Sequence, residues 1–390
     1  MAGEVTLHQL FQTPTITRVV SRIKTPLSLF QQFLGQLPGQ GAHDSVSGRH
    51  VGWDIFDATR LLAKGRPPGS GPATVSPKRV GHVSSVAYRA HEKIHLAQEQ
   101  IFRTRPLGAQ FGNVDVRGQS YINRQTTFLT QRFRNNREFM VSRMFRNGFG
   151  VKLSGEDWIP VERGDANALF TVDYQIPTTH INQLDMGTGS NIIGASWHLA
   201  ATDVMGDIHA INKAMERTNG RPLRHVWIDS TTFGYLLNNT GLQTIGGSAF
   251  RVFESLSSRQ MRSTEGVPDS GFDVVFRALP LQTFHVYDAV LANDDLAPGS
   301  AEDTAANTSQ LVPTDYAIFM PEPDPSWQGW IDASEVVAEN IMDPGREQFG
   351  FHSWTTRVID PAGWELKMLD NGLPALYVPK SVAYGHVANF

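Results

Sequence analysis

The chain has 390 residues, of which 40% are apolar and 18% charged, enough to build a core and too apolar for general disorder. It contains no cysteine, which excludes disulfides, thiolate metal sites, cysteine-held iron–sulfur clusters and cysteine nucleophiles. The net charge of −4 hides an asymmetry: residues 1–150 carry 20 Lys and Arg against 8 Asp and Glu, whereas residues 151–390 carry 14 against 30. Such halves attract one another, within one chain or between copies in an assembly, and the basic part also suits a nucleic acid.

The opening stretch, "MAGEVTLHQLFQTPTITRVV", lacks the basic start and apolar core of a secretory leader. No run approaches the ~18 apolar residues of a membrane span, so a protein that stays where it is made is expected. Residues 1–48 read as an arm. Their short apolar pieces are cut by Pro14, Pro26 and Pro38 and have too little periodic surface to fold alone. Next, "VGWDIFD" and "VGHVSSVAYRA" read as two strands flanking "KGRPPGSGPATVSPK", whose prolines and glycines rule out helix and regular ladder. The prediction is a long two-stranded ribbon with a basic tip carrying Arg60, Lys64, Arg66, Lys78 and Arg79. An isolated ribbon is marginal in water and is expected to lie on a partner surface.

Residues 91–95, His-Glu-Lys-Ile-His, match H-E-x-x-H. On a helix, His91 and His95 would share a face and grip one zinc ion, with Glu92 activating a bound water. The surroundings argue against it. Lys93 stands where zincin helices keep an uncharged residue, no downstream acid has the expected spacing, and the motif begins where a strand-like piece ends. Over 119–146 the apolar residues Ile122, Leu129, Phe133, Met140 and Met144 form one face of a long helix. Around it stand Arg124, Arg132, Arg134, Arg137, Arg143 and Arg146, with Glu138 the one acid. These arginines suit phosphates or neighbouring acids, and Phe128 and Phe139 form a second apolar row.

Strands follow in "GVKLSG", "DWIPVE" and "ALFTVDYQI". The glycine-rich "DMGTGSNIIG" lacks the Lys-Ser/Thr of a phosphate loop and the glycine spacing of a dinucleotide fingerprint. A mixed α/β region starts with a stripe at Val204, Ile208, Ile211 and Met215, stopped at Asn219-Gly220. "RHVWID" reads as a buried strand and "STTFGYLLNN" as a capped helix. "GGSAFRVFESLSSRQMR" reads as another helix, "DVVFRAL" and "TFHVYDAVL" as strands, and 292–312 as a low-complexity loop. "YAIFMPE" and a strand-rich tail finish the chain. No G-x-S-x-G occurs, and the paired acids Asp294-Asp295 lie in the flexible loop, so no enzyme signature survives and no cofactor or catalytic residue is assigned.

The order of parts resembles the tailed-phage major capsid proteins of the HK97-type fold, more narrowly the branch typified by the phage lambda head protein. "LHQLFQTPTITRVVSRIKTPLSLFQQFLG" resembles the family's arm, and "VKLSGEDWIPVERG" the strand pair after its spine helix. Trp197 stands ahead of the lobe helix, "HVWIDSTTFGYLL" is a strand ending in Asp229 before a helix, and "KMLDNGLPALYVPKSVAYGHV" resembles the closing strands. The resemblance implies an α+β fold divided into a 1–48 N-terminal arm, a 49–90 extended hairpin (E-loop), 91–190 spine helix and P-domain strands, a 191–342 A-domain and 343–390 C-terminal P-domain strands. It further implies a structural, non-enzymatic shell subunit forming pentamers and hexamers around viral DNA in the virion, assembled in the host cytoplasm. Its implied partners are a separate scaffolding protein, a portal protein, non-specifically contacted DNA and a decoration (cementing) protein. Arg60, Lys64, Arg66, Lys78, Arg79, Arg124, Arg132, Arg134 and Arg137 are the expected assembly contacts. The alternatives are a zinc metallohydrolase using His91, Glu92 and His95, and a non-specific nucleic-acid-binding protein.

Overall fold

The computed structural model describes residues 29–36, 44–56, 81–97, 116–155, 157–182, 184–186, 190–245, 271–275, 283–292, 308–336, 347–359 and 363–389. Most of the arm (1–28), the ribbon tip (57–80) and the helix expected over 246–262 lie outside these residues.

Helix α1 (Leu29–Leu34) is the described part of the arm. Strand β1 (Asp44–Val46) then leads to β2 (His50–Ile55) and β3 (Gly81–Val86), which pair antiparallel with His50 opposite Val86 and Ile55 opposite Gly81. The base of this ribbon packs on its own chain rather than only on a partner. Val51, Trp53 and Val83 are buried, Trp53 stacks on Tyr174 at 5.6 Å, and its indole N–H donates to the Leu376 carbonyl at 3.2 Å.

Strand β4 (Tyr88–Ala97) follows, and helix α2 (Val116–Phe145) is the spine. At 1.5 Å per residue its 30 residues extend about 45 Å. Ile122, Leu129, Phe133, Met140 and Met144 are all buried, as their spacing predicts. The turn out of α2 uses Asn147 (φ 68°) and Gly148 (φ 128°); a Cβ at position 148 would sit 2.1 Å from the Val172 carbonyl oxygen, so the close strand approach requires glycine. Strand β5 (Gly148–Ser154) is then flanked by β6 (Asp157–Glu162) and β7 (Ala168–Asp173), the three strands read from the sequence.

Among the described residues, two six-stranded sheets and the β12–β13 pair make up the rest. The remaining strands are β8 (Ile181–Asn182), β9 (His225–Ile228), β10 (Gly271–Val275), β11 (Thr283–Tyr287), β12 (Val290–Ala292), β13 (Thr308–Gln310), β14 (Tyr316–Met320), β15 (Gln328–Val336), β16 (Glu347–Phe349), β17 (His352–Val358), β18 (Gly363–Leu376) and β19 (Ala383–His386). The lobe sheet runs β10-β11-β9-β14-β19-β8; the body sheet runs β1-β15-β18-β17, with β4 on β18 and β16 on β15. Helix α3 (Val204–Asn219) covers the lobe and ends at Gly220 with φ 79°. Helices α4 (Ser230–Asn238) and α5 (Thr240–Ile245) follow β9. One apolar core joins α1, α2 and the body sheet, and a second fills the lobe around Trp197, Ile208, Met215 and Phe319.

The sheets cut across the expected spans. The boundary at 90 falls inside β4, β15 leaves the lobe for the body before residue 342, and β19 returns to the lobe after 343. Thr308–Gln310, read as loop, pairs with Val290–Ala292. Among the described residues no helix is long and apolar enough to cross a membrane.

Candidate assembly surface and its internal clamps

Arg60, Lys64, Arg66, Lys78 and Arg79 lie outside the described residues. Of the spine arginines expected as contacts, Arg124 is exposed and Arg132 is half-buried, whereas Arg134 and Arg137 are buried. Burial by their own chain takes Arg134 and Arg137 off the surface, whereas Arg124 and Arg132 reach it. Arg137, 0% exposed, grips Asp370 of β18 through two nitrogens at 2.5 and 2.6 Å and lies 4.1 Å above the Trp330 ring. Arg143 donates to the Gln310 carbonyl at 3.1 Å and meets Glu162 at 2.5 Å; burial pulls its pKa down to about 10. Arg132 holds Glu92 bidentately at 2.7 and 2.9 Å. With Arg89–Glu335 at 2.7 Å and Lys93–Glu365 at 3.0 Å, several bases of the first part meet acids of the same chain.

The H-E-x-x-H stretch sits on strand β4, not on a helix. Alternation along the strand turns Glu92 toward Arg132 of the spine, while His91 and His95 point to the opposite face. Four residues of strand separate the two histidines by about 13 Å, too far for one metal ion. His91 instead stacks on Trp354 at 5.5 Å. Among the described residues no group of His, Asp and Glu is arranged to hold a metal ion. The zinc reading therefore fails on geometry.

A groove of ≈ 810 Å³ lies between β4, α2 and β6. Arg49, Arg89, Lys93 and Arg132 border it together with Glu92 and Asp157. Phe128, 53% exposed, stands at its rim, so the second apolar row divides: Phe128 faces out and Phe139 is buried.

Sequence reasoning missed the strongest clamp, at Glu138. Its carboxylate accepts the Phe30 N–H at 2.7 Å, the Gln31 N–H at 3.1 Å, the Gln31 side-chain amide at 2.9 Å and the Tyr287 hydroxyl at 3.0 Å. One side chain of the spine thus ties α1 and the lobe strand β11 together. Complete burial pushes the carboxyl up to about 7, against the four hydrogen bonds that hold it down. The available signal was its isolation as the lone acid among six arginines. Around the clamp Phe30 packs on Trp227 at 4.4 Å and on Tyr287 at 5.4 Å.

No protein-family model and no curated protein matches this sequence. Solved structures do. The chain is similar to a protein provisionally named as the capsid protein of an E. coli CFT073 prophage, with 12% identity and a TM-score of 0.55, covering 99% of this chain and 100% of the other. A phage-related protein from Bordetella bronchiseptica RB50 aligns at 10% identity with a TM-score of 0.46, covering 99% and 98%. The likeness to the prophage protein runs the full length of both chains and takes in the arm helix, ribbon, spine, body sheet and lobe, so the chain carries the α+β fold of the HK97-type capsid proteins.

Proposed function

We propose that the protein is the major capsid subunit of a tailed phage or prophage, which self-assembles into an icosahedral shell around viral DNA. The observation that carries this reading is the end-to-end fold match to the prophage protein. The structure also leaves the rival readings without support. The zinc motif is split across a strand, and Arg134, Arg137 and Arg143, three of the six arginines read on α2, are buried.

In this reading residues 1–48 are the arm, 49–90 the extended hairpin, 91–190 the spine and P-domain strands, 191–342 the A-domain and 343–390 the closing strands. The ribbon tip, with Arg60, Lys64, Arg66, Lys78 and Arg79, reaches acidic surface on a neighbouring subunit, since residues 151–390 hold 30 acids against 14 bases. Arg124 and the Phe128 rim are the exposed contact positions of the spine. Many modest contacts of this kind close a shell through symmetry and multivalency. A separate scaffolding protein and a portal protein complete the assembly in the host cytoplasm. A decoration protein and non-specific contact with packaged DNA belong to the same reading.

Sedimentation of the purified chain, with electron microscopy of the fast fraction, tests it. Pentamer- and hexamer-sized rings or uniform shells are expected. A chain that remains monomeric at every concentration, including in crowding agent, would count against a shell subunit.

A further inference from the structure

Three parts of the molecule meet on α1, a helix of six residues. Toward the spine, the Phe30 and Gln31 amides donate to Glu138 at 2.7 and 3.1 Å, and the Gln31 side-chain amide donates to the Arg134 carbonyl at 2.7 Å. Toward the lobe, Phe30 packs on Trp227 of β9 and Tyr287 of β11 at 4.4 and 5.4 Å, and Phe33 packs edge-on against Trp227 at 5.3 Å. Toward the body sheet, the Gln328 side chain of β15 donates to the Leu34 carbonyl at 3.2 Å. The Gln36 side chain donates to the Gly329 carbonyl at 3.1 Å and to the Gln328 side-chain oxygen. Gln31 and Gln36 are buried, so both amides are turned inward to make these bonds. Six residues are too few to hold a helix in water, so α1 owes its shape to the three surfaces it joins.

We propose that α1 is a strap that fixes the lobe on the body: while it is seated the two are held at one angle, and unseating it lets the lobe turn as a unit about the end of the spine. The lobe has its own apolar core around Ile208, Met215 and Phe319, which α1 does not enter, so its interior survives loss of the strap. Its remaining polar and ring contacts with α2 gather at the last residues of that helix. There the Ser142 hydroxyl donates to the Leu311 carbonyl at 2.6 Å, Arg143 donates to the Gln310 carbonyl at 3.1 Å, and Arg146 lies 5.5 Å from the Tyr384 ring. These form the pivot. Without α1, Trp227 loses both phenylalanine rings, and of the four donors to Glu138 only the Tyr287 hydroxyl stays. A short element whose contacts divide among three bodies, beside a compact pivot, is the construction of a hinge with a removable stop. The inference rests on this seat and does not depend on a shell-forming role.

The absence of cysteine makes the test direct, because two thiols can be introduced into the full chain for spin labels. Asn123→Cys on the spine and Lys213→Cys on α3 of the lobe are both at exposed positions. The labelled chain is diluted into unlabelled chain, so that only distances within one molecule are read. With α1 seated, a single narrow distance distribution is expected. Gln32→Pro breaks α1 from its exposed side and leaves the residues of the lobe and body as they are. It should lower the amide protection of residues 29–36 at least about tenfold and broaden the spine–lobe distribution about twofold or more. A second pair inside the lobe, Lys213→Cys with Thr231→Cys, should stay narrow. Loss of α1 protection with an unchanged spine–lobe distance would overturn the proposal. So would equal broadening of the pair inside the lobe, which would mean that the lobe itself melts. If Gln32→Pro fails to fold or keeps α1 seated, low urea decides on the labelled chain without it. Broadening and loss of protection at 29–36 should then share one midpoint, and a lobe that stays fixed after α1 has lost protection refutes the strap.

Discussion

Arg137 and Glu138 are adjacent on α2 and both fully enclosed, yet they meet different chemistry. Arg137 faces a full opposite charge in Asp370, so removing either partner strands an ion in the core. Arg137→Met should destabilise the fold by about 3–5 kcal/mol in urea unfolding, and adding Asp370→Leu should recover most of that loss. A double variant no better than the single would show that the pair is not the source. Glu138 faces four hydrogen-bond donors, and burial raises its folded pKa to about 7 from 4.5. Because the folded value lies above the unfolded one, the contribution is stabilising below about 4.5 and is lost as pH rises through about 7. Its size is at most about 3 kcal/mol. The unfolding midpoint should therefore decline from pH 5 to 7.5, and Glu138→Gln should flatten that part of the profile.

At the level of elements, local signals and tertiary demands agree in most places. Helix α4 starts where Asp229 accepts the Thr231 and Thr232 amides at 3.2 and 3.0 Å, directly after the buried strand β9. Asp229→Ala should cost about 1 kcal/mol, read as a lower thermal midpoint with an unchanged fold. An unchanged midpoint would mean that packing alone holds α4. Strand β4 is the element where local reading and structure part. Its histidines have helical spacing by coincidence, and pairing with β18 from Tyr88–Gly372 to Ala97–Gly363 decides the conformation. Along that ladder Lys93–Glu365 and Glu92–Arg132 settle on opposite faces, as the two-residue period requires.

Over the whole molecule, the charge asymmetry of the sequence is partly spent inside the chain, through Arg89–Glu335, Lys93–Glu365 and Arg137–Asp370. The ribbon tip carries five further cations. If these serve contacts between subunits, Arg66→Glu, Lys78→Glu and Arg79→Glu together should abolish fast-sedimenting assemblies while circular dichroism and the thermal midpoint stay unchanged. Normal shells from this triple variant would remove the tip from the assembly surface. The chain also passes between body and lobe repeatedly: β15 lies in one sheet, β14 and β19 in the other. That interleaving couples the two cores, with Glu138 and Trp227 at the junction.

By itself the sequence determined the elements whose causes are local. The apolar stripe from Ile122 to Met144 made the spine, Asn219-Gly220 ended α3, and Asp229 began α4. The order of those parts already resembled one fold. Only the tertiary structure decided which arginines reach solvent, because a helix enclosed on several sides buries polar positions that a single-face pattern would leave outside. It likewise decided that His91 and His95 lie on a strand and that Glu138 holds α1. Each of these depends on residues brought together across dozens to hundreds of positions, a distance over which local periodicity carries no signal.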